Sequence, residues 1–175
     1  MATADVARYS IVVFVVLVVQ HTLLDSVRVS GAHPDAVLLL AVAAGYVGGP
    51  ERGATIGFFT GLVADLLLPT TFGLSALVGA LLAYATGVAT AGLVRTSRSM
   101  AVITFTAATV AGLVTYAILG AVLGDPGMLT ADLAPTLVMA TPSAAVLALP
   151  VLALVRWSVP PAVPAAAGAA PTGTR

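Results

Sequence analysis

The sequence predicts an all-α integral membrane protein of about six transmembrane helices, with both termini in the cytoplasm. Three observations predict it. The 175 residues are 59% hydrophobic and 8% charged, with a mean hydropathy of +1.09 and no lysine, whereas a soluble domain carries about 25% charged residues. A chain of this size hides only about two-thirds of the surface its unfolded form exposes, so the remaining apolar surface must face lipid. The apolar residues gather in six segments, residues 9–24, 35–48, 52–68, 73–94, 100–123 and 133–156. With six crossings, Arg8, Arg52, Arg95, Arg98, Arg156 and Arg175 share one side, and Arg28 alone falls on the other. Short cytoplasmic loops carry the positive charge, so the arginine-rich side is the inside.

The same composition narrows the function. Lys+Arg 7 balances Asp+Glu 7, which leaves no basic surface for nucleic acid. The absence of cysteine excludes disulfides and thiolate chemistry. There is no nucleophile motif, no phosphate-binding loop and no pair of carboxylates placed for acid–base work. A central charged relay of the kind proton pumps need is also missing. His21, His33, Asp25, Asp35 and Asp65 lie on separate segments without metal-ligand spacing. The expectation is a protein that is not an enzyme and needs neither cofactor nor metal.

In chain order, the first segment begins like a signal peptide, with Arg8 ahead of Ile11 to Val19. Gln20-His21-Thr22-Leu23-Leu24-Asp25 then lacks a small-x-small cleavage site, so the segment reads as a retained helix. Gln20 and His21, near its outer end, are suited to hydrogen bonds across helices. The second and third segments are short enough to be re-entrant. That arrangement would put Gly49-Pro50-Glu51-Arg52 at membrane depth, where each charge costs at least ~2.5 kcal/mol. Two short, tilted spans cost less. Glu51 and Arg52 then form either a solvated pair of little energetic value or a cytoplasmic docking loop.

The third segment carries Gly53, Gly57, Gly61 and Asp65, spaced by four and therefore on one helical face. Small residues at that spacing let another helix approach backbone to backbone. The partner is either another helix of this chain or a helix of another protein. Asp65 lies about 13 residues from the inner start of the helix, ~20 Å along its axis, towards the outer face. It reads either as a buried polar or ligand contact at the end of the groove or as an interfacial acid in outside water. The fourth segment has its own row, Gly79, Ala83, Gly87 and Ala91, and the fifth carries Gly112, Gly120 and Gly124. Thr141-Pro142-Ser143 and Pro150 predict a kink in the sixth, tolerated where neighbours satisfy the freed carbonyls. Residues 1–157 form one membrane domain, and residues 158–175, rich in Pro and Ala, read as a disordered cytoplasmic tail.

Pro34-Asp35, an apolar run, an inner turn and then Gly-x3-Gly-Phe-x2-Gly-Leu-x2-Asp form a recognisable pattern. It falls on Gly53, Gly57, Phe58, Gly61, Leu62 and Asp65, and Phe72-Gly73-Leu74 and Ala76-Leu77 follow. Together with Gln20 and the Gly79/Tyr84/Gly87 region, this stretch resembles the rod shape-determining MreD family over residues 9–95. The second half agrees in hydropathy and length, and the Pro/Ala tail after Trp157 departs from the pattern. The resemblance implies a small inner-membrane scaffold of the bacterial elongation machinery that supports lateral peptidoglycan synthesis and cell shape. Its implied partners are the bitopic protein MreC, the synthase pair of RodA and its penicillin-binding protein, and the actin-like MreB. The implied fold is that of the six-helix substrate-binding subunits of energy-coupling-factor vitamin transporters.

On this resemblance Pro34, Asp35, Gly53, Gly57, Phe58, Gly61, Leu62, Asp65 and Gly73 are the candidate partner-binding and helix-packing residues. Gly57, Gly61 and Asp65 are the expected contact for MreC, and Gln20 and His21 are secondary polar candidates. The alternative is a substrate-binding subunit of a small-molecule transporter, with a pocket near the outer face lined by Gln20, His21 and Asp65. The 6% aromatic content and the few polar groups fit poorly with a selective pocket, which needs several that converge.

Overall fold

A computed structural model describes residues 3–20, 22, 35–67, 72–91, 98–122 and 133–159. They form six helices: α1 (Thr3–Val19), α2 (Ala36–Gly48), α3 (Pro50–Leu67), α4 (Leu74–Ala89), α5 (Arg98–Val122) and α6 (Leu133–Ser158). Each helix falls on one of the six apolar segments. By length and composition two stretches are able to cross a membrane alone, Arg98–Val122 and Ala140–Ser158. Only 28% and 33% of their most apolar windows are buried, so most of that apolar surface faces outward, as lipid-facing helices require.

The short second segment becomes the centre of the molecule. α2 packs against each of the other five helices, and all its residues but Leu38 are buried. A helix that is apolar all round, as AVLLLAVAAGYVG is, must be surrounded to be stable. Tyr46 of α2 meets Phe105 of α5 edge to face at 6.0 Å. Elsewhere the buried threonines turn their hydroxyls onto their own helices. Thr60 donates to the Ile56 carbonyl at 2.7 Å, Thr90 to Thr86 at 2.7 Å and Thr109 to Phe105 at 2.9 Å. This satisfies their polar groups where no water is at hand.

The charged turn between α2 and α3 is tighter than expected. Pro50, Glu51 and Arg52 already belong to α3, and Gly49 alone links the two helices. Its φ of 81° and ψ of 179° lie in a region open essentially to glycine. Pro50 is then placed at the first helical position, where its missing N–H costs nothing. α6 returns to this turn. A side chain at Gly48 would touch both Arg52 and Val159, and the Arg8 guanidinium lies 5.7 Å from the Trp157 ring centroid. Arg8, Arg52 and Arg156 thus share one end of the bundle.

α6 continues through Pro142 and Pro150 and runs on to Ser158, with Val159 N–H bonded to the Val155 carbonyl at 2.7 Å. Ser158 and Val159 are buried, so the first residues assigned to the tail belong to the bundle. Residues 160–175 lie outside the described residues, as do Asp25, Arg28, His33, Arg95, Gly124, Asp125 and Asp132.

Candidate functional site

The glycine row of α3 faces its own chain. A Cβ added at Gly57 would collide with the Gly79 carbonyl, and one at Gly61 would overlap the Ser75 carbonyl and lie 2.6 Å from Ala76 Cα. At Gly53 the obstacle is the Gly45 backbone, whose nitrogen would lie 2.9 Å away. The pairs Gly53–Gly45, Gly57–Gly79 and Gly61–Ser75 show α3 running antiparallel to both α2 and α4. The small row of the fourth segment is the other half of the contact: Gly79 faces the Gly57 carbonyl, Ala83 faces Gly45, and Gly87 sits on Gly49 and Pro50. Three helix backbones meet where no side chain would fit, the geometry that small residues permit in membranes. The place expected for a partner helix on Gly57 and Gly61 is therefore occupied by α4.

Asp65 closes this row. It is 4% exposed, so it is not an acid in outside water. Its Oδ2 accepts the N–H of Gly73 at 2.9 Å and of Ala76 at 3.2 Å, and its Oδ1 accepts the N–H of Ser75 at 3.2 Å. These are groups at the start of α4, which every helix leaves without an internal partner. The residue at the capping position, Gly73, has no side chain to offer. Asp65 reaches across from α3 and supplies the cap. A negative group at a helix N-terminus is also favoured by the helix dipole. Gly73 adopts φ 91°, a left-handed conformation that turns the chain so that all three N–H groups converge.

The start of α2 is served in the same way. Leu38 N–H donates to Asp35 Oδ1 at 2.9 Å, and Ala36 N–H donates to Gln20 Oε1, reaching back to the end of α1, at 2.9 Å. Gln20 is buried and does bond across helices. Both capped starts lie at the end of the bundle opposite Arg8 and Arg52.

The remaining motif residues divide between faces. Phe58 is exposed and meets Phe59 edge to face at 5.7 Å, while Leu62 is half-buried. Pro34 and His21 lie outside the described residues. Among the described residues no group of three His, Cys, Asp or Glu side chains is placed to hold a metal ion.

Two features of this site are absent from the sequence reading. One is the identity of the donors to Asp65. A helix opening on Gly73-Leu74-Ser75-Ala76 with no capping side chain needs a cap from elsewhere, and that deficit could have pointed to Asp65. The other is the hydrogen bond between Tyr9 of α1 and Thr60 of α3 at 2.9 Å, for which no sequence signal exists, since it joins residues 51 apart.

Comparison with curated proteins and with solved structures gives no match, so the likeness to energy-coupling-factor subunits rests on the sequence resemblance alone. A family model does match, described as rod shape-determining protein MreD, over residues 6–158. That span includes all six helices except the first residues of α1, and with them both capped helix starts and the glycine row. The chain belongs to the MreD family of bacterial membrane proteins, whose role is in rod shape determination.

Proposed function

We propose that this protein is a non-enzymatic, multi-pass scaffold of the bacterial elongation complex. It binds MreC and supports the peptidoglycan synthase formed by RodA and its penicillin-binding protein, with MreB as a further associate. The observation that carries this reading is the family match over residues 6–158. The geometry supports it because the polar groups of the site serve the fold. Asp65, Asp35 and Gln20 hold helix starts in place, as a rigid platform requires.

In this reading Gly57, Gly61 and Asp65 act on MreC indirectly, by positioning. They hold the α3–α4 hairpin, and the hairpin presents Leu66, Leu67 and Phe72, all exposed, beside the capped end. Six spans with both termini inside are supported by the arginines at one end of the bundle and the acidic caps at the other. Single cysteines placed in the cysteine-free chain test the topology. A cysteine at Ser97 should resist an impermeant thiol reagent added from outside, and labelling there would overturn it.

The function is tested by mild-detergent pull-down of the tagged protein from its host, with partners identified by mass spectrometry. Recovery of MreC and the synthase is expected. Recovery of an ATPase pair with a membrane coupling subunit would mean a transporter subunit instead.

A further inference from the structure

α3 has a second face, turned towards α1, and it is built differently. Tyr9, Val13 and Leu17 of α1 and Phe59, Val63 and Leu67 of α3 line a lengthwise groove of about 280 Å³. On each helix these residues recur every four, so the groove extends about 12 Å at 1.5 Å per residue. Tyr9, Val13 and Leu17 are buried along its floor, and the exposed rings of Phe14 and Phe59 stand at its rims. Tyr9 and Thr60 form a polar rung at one end. The Thr60 hydroxyl proton goes to the Ile56 carbonyl at 2.7 Å, so its oxygen accepts from the Tyr9 hydroxyl at 2.9 Å. Both hydroxyl protons are used inside the protein, and the rung offers no donor to a polar ligand.

The walls decide what fits. A helix docking in lipid needs small residues that let backbones approach, and it is about 10–12 Å across with its side chains. The groove stripes contain no glycine or alanine, and the glycine face of α3 is already filled by α4. A polar small molecule would find neither a charge nor a free donor in the Tyr9–Thr60 rung. The medium around a member of a membrane-protein family is hydrocarbon, and a groove left empty would forfeit dispersion contacts along both walls. A thin, apolar, flexible occupant meets each requirement.

We propose that the groove between α1 and α3 is a binding site for one phospholipid acyl chain. The two walls and floor hold the chain on three sides, whereas the convex exposed faces of α4 and α5 touch a chain on one. The bound chain completes the seam between α1 and α3, which the Tyr9–Thr60 bond alone pins directly among the interactions described.

The test uses the full chain in vesicles of phosphatidylethanolamine and phosphatidylglycerol that contain a trace of phospholipid with a diazirine in its acyl chain. After photolysis, adducts are mapped by mass spectrometry. Val13 and Leu17 are 7% and 3% exposed, so only a chain seated in the groove reaches them. Adducts there are expected to exceed those on the exposed Leu81 of α4 and Ile103 of α5 by about tenfold, the ratio given by ~1.4 kcal/mol of preference. Adducts no more frequent in the groove than on Leu81 and Ile103 would overturn the proposal, and this comparison needs no variant. Val63→Trp, which fills the groove, should remove the Val13 and Leu17 adducts and leave those on Leu81. Persistence of the groove adducts in that variant would also count against the site. If a photoreactive residue at position 63 captures a protein in cells in place of lipid, the groove belongs to a partner helix.

Discussion

The two faces of α3 differ in one respect that decides what each can hold. One face presents Gly53, Gly57 and Gly61, and α2 and α4 come so close that an added Cβ would strike backbone. The other presents Phe59, Val63 and Leu67, and α1 stands off, leaving a groove. Both faces are apolar, and both repeat every four residues. Hydrophobicity therefore does not distinguish them. In lipid, apolar surface gains little by leaving its solvent, and helices associate through close packing and hydrogen bonds. Side-chain size separates a face that binds a helix from one that binds the bilayer.

The largest expected effect comes from erasing that difference. Gly61→Leu would drive a side chain into the Ser75 carbonyl and the Ala76 backbone, neither of which moves without displacing α4. Overpacking costs about 1–3 kcal/mol even where side chains yield, and here the obstacle is main chain. The unfolding midpoint in mixed detergent micelles should collapse, and the cap on α4 should fail with it. Gly112→Ala is the control, because its Cβ would meet only the tips of Leu82 and Leu38, and it should remain close to the parent protein. Equal losses in the two variants would show that α3 and α4 are not in backbone contact.

Asp65 comes next. Asp65→Ala leaves the N–H groups of Gly73, Ser75 and Ala76 without their acceptor at a buried helix start. One buried donor left unsatisfied costs about 1–3 kcal/mol, so a loss of about 2 kcal/mol or more is expected in the same assay. Asp65→Asn keeps one accepting oxygen and should lie between the two. If Asp65→Ala unfolds like the parent, the side chain is dispensable for folding, and a direct role in partner contact regains its standing.

Much of this was legible in the sequence because membrane folding leaves coarse marks. The six apolar segments located the six helices, and small residues every four on the third and fourth segments marked the faces that meet. What the pattern could not supply was pairing. Gly57 opposite Gly79 and Gly45 opposite Gly53 follow from the way α2 is enclosed, and glycines are frequent enough in this chain to permit several alternatives. The central place of α2 was hidden for a similar reason. Thirteen apolar residues look like a short or re-entrant span until five neighbours surround them. The role of Asp65 was half legible. Its burial at the end of the row was one of two readings, while its partners are backbone groups, which carry no residue-type signal. The Tyr9–Thr60 bond left no trace, since it needs two helices in register across unrelated sequence.

The smallest effect separates packing from backbone conformation within the same hairpin. Gly73 resembles Gly61 in the sequence, another glycine of the motif, yet a Cβ added there would meet nothing within 4 Å. What glycine provides at this position is φ 91°, where an ordinary L-residue pays about 1–2 kcal/mol. Gly73→Ala should therefore lower the unfolding midpoint modestly and leave the α3–α4 contact intact. Gly73→Asn should recover part of the loss, because asparagine tolerates the left-handed region better than alanine. Volume would predict the reverse order, with the larger asparagine worse. If asparagine proves worse than alanine, the position is governed by space, and the distinction between a glycine kept for close approach and one kept for its turn fails here.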